Sequence, residues 1–242
     1  MLLNIPGKLE ETASQIKYTD IIDNLVKLNK TSLDLNYDDL LKYDTDLAKN
    51  ILDNPKLYLL QLKKEVYTYL EKNHLDYARK IRRVSIRLIN LHSLTPLKGL
   101  GAHSVGKLLN IRGIVTRVGP FRLMVEKAVY RCIACGEQYP GIIGELYQEP
   151  PKMCNYCRCR TFRMDEHESI FVNSRWITIQ SVEHIAKSKI DVLLTGDISD
   201  QLSLKKKIGV IGYIEVIQDK ESSKDIPLYD YFLIANSIYD IK

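Results

Sequence analysis

The sequence predicts an α+β multidomain chain in which an N-terminal helical bundle precedes a compact all-β barrel. Apolar residues recur at steps of three or four up to about residue 95, and at every second position further on, which is the change from helix to strand periodicity. Two Cys-x2-Cys pairs fall among the predicted strands and indicate an insertion between two of them. The linker Lys98–Gly101 separates the two periodic regions, so the helical subdomain is predicted over residues 1–98.

The helices are predicted from their apolar spacing and from two boundary signals. Asn54-Pro55 predicts a helix start, because Asn is a favoured cap and proline is favoured at the first helical position. Thr95-Pro96 predicts a helix end. An extended stretch is expected at Ser32–Leu35. The apolar positions are Ile16, Ile22, Leu25 and Leu28 for an early helix, Leu59, Leu62, Val66 and Leu70 for the helix after Pro55, and Tyr77, Ile81, Val84, Leu88 and Leu91 for a helix after Asp76.

The helix predicted after Asp76 carries a basic face beside its apolar stripe. Its members are Arg79, Lys80, Arg82, Arg83 and Arg87. This face is either a nucleic-acid patch or a solvated or interdomain surface, because an amphipathic helix must expose its charged side. The chain is unevenly charged, with a net −4 over residues 1–53, +12 over 54–131 and −3 over 132–242. A basic middle indicates either a surface that faces a polyanion or charges balanced by acidic neighbours.

Beyond the linker, alternating apolar residues predict a series of short strands without a long helix between them. Such a series favours a compact barrel. Asp219–Asp225 separates two strong strand patterns and is predicted to be the tip of a long hairpin. The strand-like runs begin at Leu109 and continue at Ala128–Arg131, Ile170–Val172, Trp176–Val182, Asp191–Leu194, Ile208–Ile217 and Leu228–Ile238.

The two cysteine pairs are the strongest chemical signal in the chain. Cys132 and Cys135 are separated from Cys154 and Cys157 by 18 residues, a spacing that can place four thiolates around one tetrahedral structural zinc ion. A rubredoxin-like iron site and disulfide bonds are the alternatives. Four thiolates leave no open coordination position, so this metal is expected to hold a fold. The nearby residues Cys159 and His167 are candidate spare or substitute ligands.

Several function classes are disfavoured by what the sequence lacks. No run of apolar residues approaches the roughly 18 that a membrane span needs, and no secretory signal precedes Lys8, so we expect an intracellular protein. No G-x-x-x-x-G-K-[ST] phosphate loop is present. Of the five histidines, the three candidate catalytic residues His103, His167 and His184 lie in no motif with a nucleophile. We therefore predict no catalytic residue in this chain.

The combined motifs resemble the N-terminal domain of the minichromosome maintenance (MCM) family of replicative helicases. The resemblance rests on Ile111–Val118, Ala128–Gly136, Trp176–Gln180, Asp197–Asp200 and Gly209–Val216. It implies a five-stranded oligonucleotide-binding (OB) barrel with an inserted zinc-ribbon-like subdomain. The implied boundaries are 99–130 for the first part of the barrel, 131–165 for the zinc-binding insertion, and 166–242 for the second part, with a DNA-binding hairpin around 211–234.

The resemblance also implies which residues contact DNA. Basic positions near the first barrel strand are Arg117, Arg122 and Lys127, and Arg175 is the matching position on the strand after the insertion. Lys220 and Lys224 occupy the hairpin tip. For all six, the alternative is an ordinary solvated charge. Trp176 is interpreted either as a base-stacking side chain or as a core residue.

The implied function is the DNA-binding and ring-assembly region of a replicative helicase. Its expected partners are single-stranded and also double-stranded DNA, further copies of the chain in a hexamer or double hexamer, and a C-terminal AAA+ motor domain. The short N-terminus resembles archaeal members, and loop 184–196 departs from the family pattern at Ala186–Ser188. The alternative function is a non-catalytic zinc-ribbon and barrel scaffold that organises protein partners in replication or transcription.

Overall fold

The structure of the protein is a computed structural model that describes residues 18–143, 148–182, 188–200, 202–219 and 228–241. Ile16, His184, Lys220 and Lys224 lie outside these ranges, as does the tip of the predicted hairpin. The chain forms two compact units. The first contains Met1–Gly119 and Trp176–Lys242, and the second is Pro120–Arg175.

The first unit contains the described helices, and their starts follow from local capping. The side chain of Asn36 accepts a hydrogen bond from the Asp38 N–H at 3.0 Å, and Asp44 accepts one from the Leu47 N–H at 2.9 Å. The predicted start at Asn54-Pro55 is confirmed. The helices are α1 (Tyr18–Lys27), α2 (Tyr37–Tyr43), α3 (Thr45–Asp53), α4 (Pro55–Asn73) and α5 (Leu75–Ile81).

The helix predicted to run from Asp76 to Thr95 is wrong in its second half. Helix α5 ends at Ile81, because Arg82 adopts a left-handed conformation with φ of 54°. Strand β2 (Ser85–Ile89) follows and pairs in parallel with β1 (Ser32–Asn36), which confirms the extended stretch predicted there. Parallel strands buried on both faces have continuous apolar sequences, and such a run can also match a helical stripe.

This correction changes the interpretation of the predicted basic face. Arg87 lies in β2 and is only 7% exposed, so it belongs to the interior of the first unit. Arg79, Lys80 and Arg82 are exposed, and Lys80 donates a hydrogen bond to the Asn29 side chain at 3.0 Å. The basic face is therefore shorter than predicted.

A closed barrel of five strands completes the first unit. Its strand order is β10–β12–β11–β3–β9, with β10 beside β9. Strands β11 and β12 form the predicted long antiparallel pair, from Ile208 opposite Asp240 to Gln218 opposite Tyr229. Strands β3 and β9 both continue into the second unit. The barrel strands are β3 (Leu108–Lys127), β9 (Ile170–Gln180), β10 (Lys189–Thr195), β11 (Lys207–Gln218) and β12 (Tyr229–Asp240).

Apolar side chains from alternate positions fill the barrel. Ile111, Val115 and Ile179 are fully buried, as period-two alternation requires for strands with one interior face. Gly209 lies under the ring of Tyr239 on the neighbouring strand, where a Cβ atom would fall 2.0 Å from Tyr239 Cζ. A glycine is required there because the aromatic ring occupies the space of its side chain.

Buried polar contacts join the helical part to the barrel within the first unit. The Asn236 amide on β12 donates to the Ile86 carbonyl at 2.8 Å and accepts from the Leu88 N–H at 2.6 Å. Arg87 donates to the Asn236 carbonyl at 2.7 Å and pairs with the Asp197 carboxylate. Buried polar groups need such partners, so this network fixes β2 against β12.

The second unit contains the segments that carry the cysteines. Its central sheet has the order β5–β4–β8, and β6 pairs separately with β7. The strands are β4 (Val129–Cys132), β5 (Gln138–Pro140), β6 (Ile142–Ile143), β7 (Gln148–Glu149) and β8 (Phe162–Met164). The Asp165 carboxylate accepts a hydrogen bond from Arg131 at 2.7 Å, and this hydrogen bond, more than the charge of Arg131, lowers the pKa of Asp165.

Candidate metal centre and nucleic-acid interface

Four cysteines converge at one end of the β5–β4–β8 sheet. The sulfur atoms of Cys132, Cys135, Cys154 and Cys157 all lie within 4.8 Å of one another. The Sγ atoms of Cys132 and Cys157 are 3.5 Å apart, and those of Cys135 and Cys154 are 3.6 Å apart. Four thiolates around a tetrahedral zinc ion would be about 3.8 Å apart, so the cluster has the size of a metal site. All five cysteines are free, so the disulfide alternative is not realised in this structure.

Each cysteine pair lies in a tight backbone turn. The Gly136 N–H donates to the Cys132 carbonyl at 2.9 Å, and the Arg158 N–H donates to the Cys154 carbonyl at 3.1 Å. Gly136 has φ of 77° and Arg158 has φ of 62°. A glycine adopts this left-handed conformation without steric cost, which explains the Gly that follows the first pair.

The electrostatics of the cluster favour a bound cation. The pKa of Cys154 is lowered to about 6, mainly by a hydrogen bond from the Cys157 backbone N–H and then by one from the Tyr139 hydroxyl. The pKa of Cys132 is also lowered, mainly by a hydrogen bond from the Cys135 backbone N–H. The Cys159 N–H alone would lower the pKa of Cys157, but desolvation and the neighbouring sulfurs raise it to about 12. The pKa values of Cys154 and Cys132 are thus lowered and that of Cys157 is raised, and a divalent cation among the sulfurs would favour the thiolate form of all four.

Tyr139 connects the two cysteine turns. Its hydroxyl lies 3.2 Å from Cys154 Sγ and accepts a hydrogen bond from the Asn155 N–H at 3.0 Å. The Tyr139 ring packs edge-on against Phe162, with centroids 5.6 Å apart. Tyr139 lies on β5, just after Cys132 and Cys135. Its hydroxyl therefore links the hairpin that carries the first cysteine pair to the turn that carries the second pair. Sequence reasoning missed this residue, although an aromatic four positions after Cys135 is a readable signal.

Neither predicted substitute ligand joins the four-cysteine group. Cys159 is partly buried, and its sulfur accepts from the Thr161 N–H at 3.4 Å. The backbone N–H of His167 donates to the Asp165 carboxylate at 3.3 Å. Within the described ranges, the four cysteines predicted from the sequence are the group that the structure brings together.

The predicted DNA contacts fall in both units. Arg117 is exposed on β3 in the first unit. In the second unit, Arg122 and Lys127 are exposed on the continuation of β3, and Arg175 lies at the end of the corresponding part of β9. The Arg175 guanidinium stacks over the ring of Phe121, 4.1 Å from its centroid. Phe121 was not predicted, because no motif marks an exposed aromatic within a strand.

Trp176 is not a core residue. Its side chain is 42% exposed, and its ring packs edge-on against Phe232 with centroids 5.1 Å apart. Its neighbour Ile177 is buried instead, as alternation along β9 requires. The base-stacking interpretation of Trp176 stays a prediction.

Comparison with known proteins identifies the family. Residues 4–90 match the MCM N-terminal domain, and residues 96–218 match the MCM OB domain. No helix in the described residues has the length and hydropathy of a membrane span.

Curated relatives have low sequence identity over long alignments. The minichromosome maintenance protein MCM of Saccharolobus solfataricus is 25% identical over 93% of this chain and 34% of its own length. The probable DNA helicase MCM8 of Oryza sativa is 25% identical over 82% of this chain and 27% of its own length. DNA replication licensing factor mcm-6 of Caenorhabditis briggsae is 25% identical over 85% of this chain and 27% of its own length. The chain thus spans about a third or less of these relatives.

The fold has a solved counterpart. The crystal structure of the N-terminal domain of an archaeal MCM superposes with a TM-score of 0.81, at 18% sequence identity, over 96% of both chains. This likeness covers the helices and the barrel together. The resemblance inferred from the sequence motifs is therefore confirmed, and the chain belongs to the minichromosome maintenance family, carrying its N-terminal and OB domains.

Proposed function

We propose that this chain is the DNA-binding and ring-assembly region of a replicative DNA helicase. The supporting observation is the closed OB barrel with exposed basic residues on β3, in a chain that matches both MCM domains. Barrels of this type bind single strands with a basic groove and exposed aromatic side chains. Single-stranded DNA is the proposed ligand, and duplex DNA is a second one.

The proposed cofactor is one structural zinc ion per chain. Cys132, Cys135, Cys154 and Cys157 would hold it, and zinc suits four soft thiolates at this separation. A closed thiolate shell leaves no position for substrate, so the ion would stabilise the second unit and perform no reaction. The proposed subdomain boundaries remain 99–130, 131–165 and 166–242.

The proposed DNA contacts are the basic residues identified from the sequence. Arg117 would contribute from the first unit, and Arg122, Lys127 and Arg175 from the second. Lys220 and Lys224 would add contacts from the hairpin when several copies surround one strand. Each phosphate contact releases counterions, so affinity should fall steeply with salt.

Assembly and coupling to a motor complete the proposal. From family membership we propose that six copies of the chain form a ring and that two such hexamers can join into a double hexamer. We also propose that the whole protein carries an AAA+ motor domain C-terminal to this region. From that role we propose a cytoplasmic, nucleoid-associated location, or a nuclear one if the protein is eukaryotic. A scaffold that organises protein partners without DNA is the rival function, and it predicts no salt-dependent binding of single strands.

Fluorescence anisotropy with a labelled oligothymidine, measured across a range of salt concentrations, tests the proposal. Replacing Arg117, Lys127 and Arg175 with Ala should flatten the log–log salt dependence by roughly two units, at roughly 0.7 per lost contact. The charge-matched control replaces Arg79, Lys80 and Arg82, which are exposed on or next to α5. Equal losses in both variants would show a general polyanion attraction, and absence of binding by the unmodified chain would favour the scaffold.

A further inference from the structure

The second unit presents an exposed strip in which aromatic and basic side chains alternate. Phe121 on β3 is 50% exposed, although the Arg175 guanidinium lies over its ring at 4.1 Å. On β9, Phe171 lies four residues before Arg175, and its side chain is 37% exposed. Val172 and Ser174 are buried, so Phe171 and Arg175 share the outward face of β9.

The same strip continues along β3. Side chains alternate along a strand, so Phe121, Leu123 and Lys127 lie on one face of β3, and all three are exposed. By the same alternation, Arg122 lies on the other face of β3. We call the set Phe121, Arg175, Phe171 and Lys127 the aromatic–basic strip.

Its chemistry suits an unpaired nucleobase. An exposed aromatic ring offers a stacking surface to every base, and a guanidinium stacked on a ring keeps its N–H donors at the edge of the stack, where a phosphate can accept them. Within the strip a cation lies directly against one of the two rings, because the Arg175 guanidinium stacks on Phe121. Two cations and two rings, shared between the outward faces of β3 and β9, therefore complement a single DNA strand, which carries one phosphate for each base.

We infer that the aromatic–basic strip is a base-stacking subsite for single-stranded DNA, with Phe121 as its principal stacking residue and Arg175 as its phosphate contact. The inference rests on the proposed function and adds a preference for unpaired bases. Bases in a duplex are already stacked and paired, so their faces are not available to Phe121. Phosphates are available in both forms. Phe121 should thus distinguish single strands from duplex, whereas Lys127 should not.

The test compares Phe121→Ala, Phe121→Leu and Phe121→Tyr in the zinc-loaded chain, with oligothymidine and a duplex of equal length as probes. Phe121→Ala and Phe121→Leu should weaken oligothymidine binding on the order of tenfold, because both remove the ring that stacks. Phe121→Tyr should bind as the unmodified chain does. The matched control is Leu123→Ala, which removes an even more exposed apolar side chain, 71% exposed, from the same face of β3.

A salt series separates stacking from charge. Phe121→Leu should lower the affinity at every salt concentration without changing the slope, whereas Arg175→Ala should reduce the slope by roughly 0.7. Unchanged oligothymidine affinity in both Phe121→Ala and Phe121→Leu would overturn the inference and leave the proposed DNA-binding function standing. Equal losses on duplex and single strands would also overturn it. No binding by the unmodified chain would overturn both the function and the subsite.

Discussion

The Tyr139 hydroxyl lies 3.2 Å from Cys154 Sγ, and it also accepts the Asn155 N–H at 3.0 Å. One side chain from the hairpin of the first cysteine pair thus fixes the second pair. A hydroxyl that donates to a thiolate stabilises its charge and its position, as outer hydrogen bonds do at other metal sites.

Removal of this hydroxyl should weaken metal retention without unfolding the unit. Tyr139→Phe keeps the ring against Phe162 and loses only the bonds of the oxygen. We expect about tenfold weaker metal affinity, measured by competition with a chromophoric chelator. The control is Tyr130→Phe, because the Tyr130 hydroxyl donates to the Gln148 carbonyl at 2.7 Å instead of a cysteine. Equal affinities of Tyr139→Phe and the unmodified chain would refute this role.

The four-cysteine cluster should contain one zinc ion per chain. Cys132→Ser and Cys157→Ser should both lose the metal and loosen the second unit, because metal binding and local folding are coupled. Cys159→Ser should retain a full complement, since Cys159 is outside the group. Elemental analysis of the purified variants measures this directly. Iron in the unmodified chain, or full zinc content in both Cys132→Ser and Cys157→Ser, would contradict the assignment of a zinc site to these cysteines.

The Arg87–Asp197 pair should make stability depend on pH. Burial alone would raise the pKa of Asp197, but the charge and hydrogen bond of Arg87 hold it below its ordinary value. A carboxyl with a lowered folded-state pKa contributes its full stability above the ordinary value near 3.9, and the contribution is lost as pH falls through the lowered value.

Asp197→Asn is the variant that tests this pair. We expect the free energy of unfolding at pH 7 to fall by about 2 kcal/mol. This loss is smaller than the usual cost of breaking a buried ion pair, because the Asp197 side chain is 34% exposed and solvent screens its charge. Urea unfolding at pH 7 and at pH 3 should show the difference shrinking at the lower pH. A difference of the same size at both pH values would mean that the charge of Asp197 contributes nothing.

The sequence was sufficient to predict features that depend on local spacing. The cysteine cluster, the start of α4 at Pro55 and the β11–β12 pair all follow from short motifs or alternation. Strand β2 was mistaken for helix because a fully buried parallel strand lacks alternation, and its partner β1 lies some 50 residues earlier in the chain. The pairing of Ser85–Ile89 with β1 makes this segment a strand instead of a helix.

Side-chain relationships between distant segments could not be predicted from the sequence. Phe121 and Arg175 meet because β3 and β9 are neighbours in the sheet, with the whole cysteine-bearing segment between them in the chain. Arg87 appeared to be one charge of a basic helical face, yet the fold buries it beside Asn236. Such contacts depend on strand order and register, which no short motif specifies.

The 242-residue chain should neither bind nor hydrolyse ATP. It contains no phosphate loop with the lysine and hydroxyl that hold triphosphate and magnesium. Isothermal calorimetry with ATP and Mg²⁺ should give no binding heat. Micromolar affinity would place a nucleotide site where we predict none.

Sedimentation velocity of the zinc-loaded chain, with and without labelled oligothymidine at low salt, tests the central claim most directly. DNA binding and ring assembly together predict that the oligonucleotide co-sediments with a species several times the 27.9 kDa mass of one chain, and that high salt releases it. An oligonucleotide that sediments freely at every protein concentration, beside a chain that stays a monomer, would contradict the proposed function.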